Sequence, residues 1–224
     1  MNSSPLISIG LPVFNDEKYI GIAIESILKQ TFTNFELIII NDGSTDSSLA
    51  IINSYNDPRI VVINQSQKGL SKTLRDSIPI CKGVYIARMD QDDISFNTRL
   101  EEQYNYLNDN INVSVVSNSV AFIDEFDNFL GRSFAPTNEK TISYMLLNKG
   151  CVINHPSVMF KKFDYFKTEG YCVEVGDIST DYYLWVSFLK NNFKIHNIKK
   201  ILLKYRILQG SLSSKFVLNS NEKI

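Results

Sequence analysis

No run of the roughly 18 to 20 apolar residues that a membrane helix needs occurs anywhere in this 224-residue sequence, so no transmembrane span is expected. The amino end, MNSSPLISIGLPVFN, lacks the basic segment and long apolar stretch of a signal peptide. Blocks of basic residues are missing as well. Lys and Arg number 23 against 24 Asp and Glu, scattered for a net charge of −1, which excludes the basic footprint a nucleic-acid partner requires. The three cysteines, Cys81, Cys151 and Cys172, are odd in number and share no metal-type spacing; they are expected as buried thiols in a reducing compartment. There is no G-x-G-x-x-G for a dinucleotide and no G-x-x-x-x-G-K for a P-loop. Internal repeats, low-complexity tracts and Gly/Ser linkers are also absent. A cytoplasmic protein is the expectation, with peripheral association at the inner face of the membrane left open by the Lys161-Lys162 pair, which reads either as a solvated strand end or as a weak basic patch facing anionic lipid.

What is present is a regular alternation. Hydrophobic residues make up 44% of the chain, enough to build a packed core. Leu6 to Phe14 reads as a strand, and Ile20, Ile24, Ile27 and Leu28 fall at the spacing of one helix face, with Asn15 or Asp16 as the cap. Phe35 to Ile40 is a second strand, followed by a helix that Asp46 can cap and that Asp57-Pro58 stops. Ile60 to Ile63, a helix with Leu70, Leu74 and Ile78 on one face, and Val84 to Met89 complete four strand–helix units. Such alternation predicts an α/β fold with a mostly parallel sheet flanked by helices. The second half is less regular: a helix through Leu100, Tyr104 and Leu107, strands at Val113 to Val120 and Ser157 to Phe160, helices at Ile142 to Leu147 and Leu184 to Leu189, and two short strands within Phe193 to Ile207. One domain over residues 1–224 is expected.

Ligands of such sheets bind beyond the carboxyl ends of the strands. Three polar segments occupy those positions: Pro12 to Asp16, Asn41 to Asp46, and Asp90 to Asp93. In extended chain Asp90 and Asp92 point the same way while Asp93 faces elsewhere. Two converging carboxylates call for a cation between them, and a hard divalent ion such as Mg²⁺ or Mn²⁺ would accept their oxygens and keep positions for phosphate. An Asp-rich turn capping a helix near Phe96 is the alternative. Asp46 is explained as a helix cap. Asp42 caps nothing obvious and could accept from a nucleobase imide or a ribose hydroxyl, while Gly43 allows a close backbone approach.

The order P-V-F-N after the first strand, N-D-G-S-T-D after the second and D-Q-D-D after the fourth resembles glycosyltransferase family 2. The segments Asn154 to Phe160, Asp181-Tyr182-Tyr183-Leu184-Trp185 and Leu203-Lys204-Tyr205-Arg206 extend the resemblance over residues 5–214. It implies a GT-A type, Rossmann-like fold, with a nucleotide-sugar-binding half over about 5–110 and an acceptor-binding half over about 111–214. It also implies an inverting transfer from a nucleoside-diphosphate sugar, by preference a uridine diphosphate sugar, to an acceptor hydroxyl on a saccharide or lipid-linked molecule, in bacterial surface-polysaccharide synthesis. Carried over by position, Pro12, Phe14 and Asp42 would hold the nucleoside, with Asn15, Glu17 and Arg75 nearby. Asp90 would touch the ribose, Asp92 would ligate Mn²⁺ or Mg²⁺, and Asp181 would be the general base. Asp76 replaces the Asn of the family's R-N pair. Thr180 stands where a Glu often precedes the base, and Leu208 where many members carry a His. The chain ends soon after this strand, without the longer tail of many members.

Other residues carry open readings. His155 and Thr180 could contact donor or acceptor, or be structural. Tyr171, Tyr182 and Tyr183 are candidates for a sugar platform, whereas Trp185 is placed in the core and His196 at the surface or in a structural role. A sugar-phosphate nucleotidyltransferase is disfavoured, because Leu11-Pro12-Val13-Phe14-Asn15 offers no glycine beyond Gly10 to cradle a triphosphate. A catalytically silent nucleotide-sugar-binding protein is the non-enzymatic alternative.

Overall fold

The computed structural model describes residues 4–133, 136–177 and 179–208. Ile7–Val13 (β1), Phe35–Asp42 (β2), Ile60–Gln65 (β3) and Tyr85–Arg88 (β4) form a parallel array in the order β3-β2-β1-β4. β1 and β2 are buried along their whole length, which is why they read as unbroken apolar runs. Alternation sends Leu37 and Ile39 to one hydrophobic core and Ile38 and Ile40 to a second on the opposite face.

The connecting helices are α1 (Ile20–Leu28), α2 (Ser48–Asn53) and α3 (Leu70–Ser77). α1 buries Ile20, Ala23, Ile24 and Ile27 at the expected spacing. Its cap differs from the expectation: Tyr19 is the N-cap residue, no side chain caps the helix, and Asp16 gives its backbone carbonyl to the amides of Tyr19 and Ile20. At α2, the Asp46 carboxylate does accept the Ser48 amide, at 2.9 Å.

Beyond β4 the sheet is mixed. Ile94–Ser95 (β5), Val113–Ile123 (β6), Phe129–Arg132 (β7), Met159–Lys161 (β8) and Lys194–Arg206 (β9) extend it to the order β3-β2-β1-β4-β8-β6-β9-β5, with β7 paired to β6. β8 runs antiparallel to both β4 and β6, so the two halves of the chain share one sheet. Around it lie α4 (Arg99–Asp109), α5 (Glu139–Asn148), a 3-10 turn at His155–Ser157, α6 (Lys162–Tyr165) and α7 (Thr180–Lys190). Two expectations are corrected here. Phe193 to Ile207 contains one long strand rather than two: Asn118 pairs with Ile198 but Ser119 with Ile201, so Lys199 and Lys200 bulge without ending the strand. Ser157 belongs to the 3-10 turn, and the strand begins at Met159.

Among the described residues no helix is long and apolar enough to cross a membrane. Lys161 and Lys162 each donate to a backbone carbonyl, of Ile111 and Cys81 respectively, so the pair ties strand ends together. All three cysteines are free, but only Cys81 is buried as expected.

Candidate active site

Strand order reverses between β1 and β4: the chain leaves β1 toward β2 and β3, then crosses back to place β4 on the other side. A crevice at that switch point is the position where open α/β sheets bind ligands. A cavity of about 320 Å³ lies there, lined by Pro12, Val13 and Phe14 at the end of β1, Asp42 at the end of β2, Gln67, Gly69, Leu70 and Thr73 around the start of α3, and Asp90 to Asp92 after β4. The fold thus joins Pro12, Phe14, Asp42, Asp90 and Asp92, which are far apart in sequence, in one cavity.

Asp42 is mostly engaged within the protein. Its Oδ1 accepts from Gln65 Nε2 at 2.7 Å and the Lys68 amide at 2.9 Å, and its Oδ2 accepts the Gly69 amide at 2.9 Å. These bonds shape the cavity wall and leave Oδ2 with acceptor capacity. Asn15 and Glu17 stand outside the cavity and brace the loop after β2. Asn15 Oδ1 accepts the Thr45 amide at 2.8 Å, and Glu17 Oε2 the Ser47 amide at 2.8 Å. Arg75 also stands apart, exposed on α3 and paired with Asp76 at 3.5 Å. Pairing with a neighbour one residue away is what the Asp at 76 permits and an Asn would not.

The acidic turn is backed by three arginines. Arg88, essentially buried, is ion-paired with Asp90 and donates to the Gly10 carbonyl at 3.0 Å. Arg99, equally buried, donates to the Arg88 and Pro156 carbonyls. Arg206, at the end of β9, donates Nε to the Asp92 carbonyl at 2.8 Å and its amide to Asp93 Oδ1 at 2.9 Å. Asp93 therefore faces inward, while Asp90 and Asp92 face the cavity. The turn runs into β5, not into a helix, so the helix-cap alternative for it does not hold.

Burial, then the charges of Asp90 and Asp16, push the Asp92 carboxyl up to about 7. Burial, then the charge of Asp46, raises Asp16 to about 6, and Asp16 Oδ2 has no hydrogen-bond partner. Such uncompensated carboxylates fit a hard divalent cation. Among the described residues no group of three Asp, Glu, His or Cys side chains forms a metal cage, so most ligands of such an ion would be phosphate oxygens and water.

Asp181, in the first turn of α7, does not line the cavity. Burial raises its carboxyl above the ordinary range, and the charge of Asp90 adds to the effect. Its Oδ1 accepts the Tyr182 amide at 2.7 Å, and Cys151 Sγ lies 3.8 Å from Oδ2. Thr180 is buried and donates its hydroxyl to the Cys172 carbonyl at 3.3 Å, away from the cavity. Tyr171 is buried in the core and cannot be a sugar platform; Tyr182 uses its hydroxyl on the Leu146 carbonyl, and Tyr183 remains exposed. Trp185 is fully buried, and His196 is held by the Tyr106 hydroxyl at 2.9 Å. Leu208 follows Ile207, whose amide donates to the Ile123 carbonyl, and residues 209–214 lie outside the described residues.

Gln91 and Asp177 are among the lining residues that the sequence did not single out. Gln91 clamps the loop after β1, accepting the Phe14 amide at 2.7 Å and donating to its carbonyl at 3.2 Å. Asp177 accepts the Ser71 amide at 2.7 Å at the start of α3, a contact across 106 positions that no local pattern announces. Burial opposes ionisation of Asp177, but the Ser71 and Leu70 amides hold its carboxyl below the ordinary range.

A family model described as glycosyl transferase family 2 matches residues 8–168. The chain belongs to that family. It is 37% identical over 207 residues to the O-antigen biosynthesis glycosyltransferase WbnJ of Escherichia coli, covering 90% of this chain and 80% of that protein. It is 32% identical over 218 residues to the UDP-Glc:alpha-D-GlcNAc-diphosphoundecaprenol beta-1,3-glucosyltransferase WfgD of Escherichia coli, covering 93% of this chain and 80% of WfgD. In fold this family 2 chain resembles Staphylococcus aureus TarS in complex with UDP-GlcNAc, with a TM-score of 0.76 at 19% identity over 93% of this chain and 60% of TarS. It also resembles the mannosyltransferase PcManGT of Pyrobaculum calidifontis in complex with GDP-Man and Mn²⁺, with a TM-score of 0.72 at 11% identity, covering 98% of this chain and 62% of PcManGT. The chain thus spans less than two thirds of these two solved structures, and the GT-A fold of the family is the one observed.

Proposed function

We propose that this chain is an inverting glycosyltransferase that moves a sugar from a nucleoside-diphosphate donor, a uridine diphosphate sugar by preference, to an acceptor hydroxyl. The observation that carries this reading is the switch-point cavity, with Asp42 on one wall, Asp90 and Asp92 on another, and a separate carboxylate, Asp181, close enough to feel the charge of Asp90. Residues from about 5 to 110 serve as the donor half, residues from about 111 to 214 as the acceptor half, and together they act as one domain. Pro12, Phe14 and the remaining acceptor site of Asp42 receive the nucleoside, and Asp90 meets the ribose. Asp92 would hold Mn²⁺ or Mg²⁺, which when bound neutralises charge on the leaving diphosphate. Asn15 and Glu17 serve by bracing the loop that carries Gly43.

Asp181 takes the proton of the acceptor hydroxyl as its oxygen attacks the anomeric carbon. The bond from that carbon to the diphosphate oxygen breaks, the nucleoside diphosphate leaves with the electron pair, and configuration inverts. A raised carboxyl suits this task, because a general base works best when its proton affinity approaches the operating pH. The name of WfgD supports a lipid-linked saccharide acceptor, and that of WbnJ a place in surface-polysaccharide synthesis.

Release of UDP from UDP-glucose and UDP-GlcNAc with Mn²⁺, alongside calorimetric binding of UDP, tests the reading. Asp181→Asn should abolish turnover and leave Mn²⁺-dependent UDP binding nearly intact; loss of binding as well would end its role as the base. Asp92→Asn should lose the Mn²⁺-dependent part of UDP affinity, and equal affinity with and without metal in the wild type would remove the metal from the scheme. The Thr180 side chain, turned away from the cavity, favours the second reading, a silent nucleotide-sugar binder. That protein would bind UDP and release none from the sugars.

A further inference from the structure

His155 stands in the 3-10 turn before β8. Its Nε2 lies 3.3 Å from Arg88 Nε and 2.9 Å from the Tyr171 hydroxyl. The guanidinium N–H can only donate, so Nε2 must be an acceptor. His155 is therefore neutral with its proton on Nδ1, and the Arg88 N–H and the nearer Tyr171 hydroxyl share the single Nε2 lone pair. Burial of the ring and the neighbouring Arg88 charge hold the imidazole well below its ordinary value, in agreement with that tautomer.

The partners of His155 lead in two directions. Arg88 is buried, fixed by the Gly10 and Met89 carbonyls, and ion-paired with Asp90, so the histidine completes the shell that aims Asp90 at the cavity. On its other side, the ring packs edge-on against Trp185, with centroids 5.9 Å apart, and against Tyr171 at 5.6 Å. Trp185 lies four residues after Asp181 on α7, on the same helix face. Tyr171 begins the segment that leads into α7. One imidazole thus touches the support of the donor-side carboxylate and the helix that bears the acceptor-side one.

From this arrangement we infer that His155 is a positioning residue that sets the spacing between Asp90 and Asp181, and that it contacts neither donor nor acceptor. The inference rests on the roles proposed above for those two carboxylates. Removing the ring lets Arg88 and α7 relax independently, so donor binding survives while the alignment of base and anomeric carbon is lost. Misplacement of about 1 Å suffices for a hundredfold loss of rate.

The experiment compares His155→Ala, Tyr171→Phe and the double variant with the wild type. It follows UDP release from UDP-glucose and UDP-GlcNAc with Mn²⁺, the affinity for UDP with Mn²⁺, and the pH–rate profile. His155→Ala should lower turnover about 10- to 100-fold while UDP affinity stays within about threefold. Tyr171→Phe should lower turnover severalfold, and the double variant should be no worse than His155→Ala, because both act through one network. The shape of the pH profile should not change, since a histidine kept neutral contributes no limb. Equal losses of turnover and UDP affinity would make His155 a donor contact and overturn the inference; so would unchanged turnover, or loss of a pH limb. Should His155→Ala fail to fold, Tyr171→Phe keeps both rings and still decides the matter, because unchanged turnover there removes the network from catalysis. Asp181→Asn, run beside these, separates the two ideas: if it retains turnover, the base assignment fails whatever His155 does.

Discussion

Asp181 bears a carboxyl whose neutral form the fold favours, because burial outweighs the bonds from Tyr182 and Cys151 that support the charge. Its folded-state value is raised above the unfolded one. Its contribution to stability is therefore complete below the unfolded value and is lost as pH rises through the folded value. Asp181→Asn keeps the shape and removes the charge, so it should raise the melting temperature at pH 8, by about 2–4 °C for each kcal/mol relieved. The gain should shrink toward pH 4, as the pH falls through the raised folded-state value and the native carboxyl takes up its proton. Melting curves of both proteins at the two pH values check this, and a destabilised variant at pH 8 would contradict it. Cys151 belongs to the same environment: the residue is exposed, but the protein packed around its sulfur, then the charge of Asp181, push its thiol up, so it stays protonated beside the carboxylate.

The elements around the cavity are held by close backbone contacts as much as by side chains. A Cβ on Gly83, in the turn before β4, would lie 2.5 Å from the Ser8 amide nitrogen and 2.7 Å from the Ile7 carbonyl carbon of β1. Only glycine lets the two strands that flank the switch point approach this closely. Gly83→Ala should therefore lose about 1–3 kcal/mol, measured by urea unfolding, since backbone atoms and not flexible side chains must move. Gly43, after β2, has a φ of +79°, and a Cβ added there would lie 2.8 Å from the Gln67 amide nitrogen, so glycine is required in the loop that Asn15 and Glu17 brace. Between β6 and β5, β9 carries Arg206 back to the acidic turn, where its guanidinium and amide secure Asp92 and Asp93. A strand near the end of the described chain thereby stabilises a turn more than a hundred positions earlier.

At the scale of the whole molecule, one sheet joins the donor and acceptor halves through β8, and ligand binding should stabilise both together. Trp185, the single tryptophan, is buried in the second core and reports its unfolding by fluorescence. UDP with Mn²⁺ at about a hundred times its dissociation constant should add about 2.7 kcal/mol, seen as a melting shift of about 5–10 °C. Chelation by EDTA should remove most of that shift. A shift indifferent to EDTA would place the nucleotide elsewhere or without metal.

The sequence by itself determined the strand–helix alternation, because apolar period and turn residues are local signals. It also determined that Asp42, Asp90 and Asp92 stand at strand ends, since each lies within three residues of a buried run. It could not tell that Lys199 and Lys200 bulge from a continuing strand, because a bulge and a break look alike until the partner strand is present. Nor could it separate Asn15, Glu17 and Arg75 from the cavity residues beside them. A motif gives proximity along the chain, whereas side-chain direction depends on what each residue finds to bond. The tertiary structure alone decided the neutral tautomer of His155, the inward turn of Thr180, and the contact of Asp177 with Ser71. Each depends on a partner brought near by strand order, and strand order is fixed by packing the whole sheet.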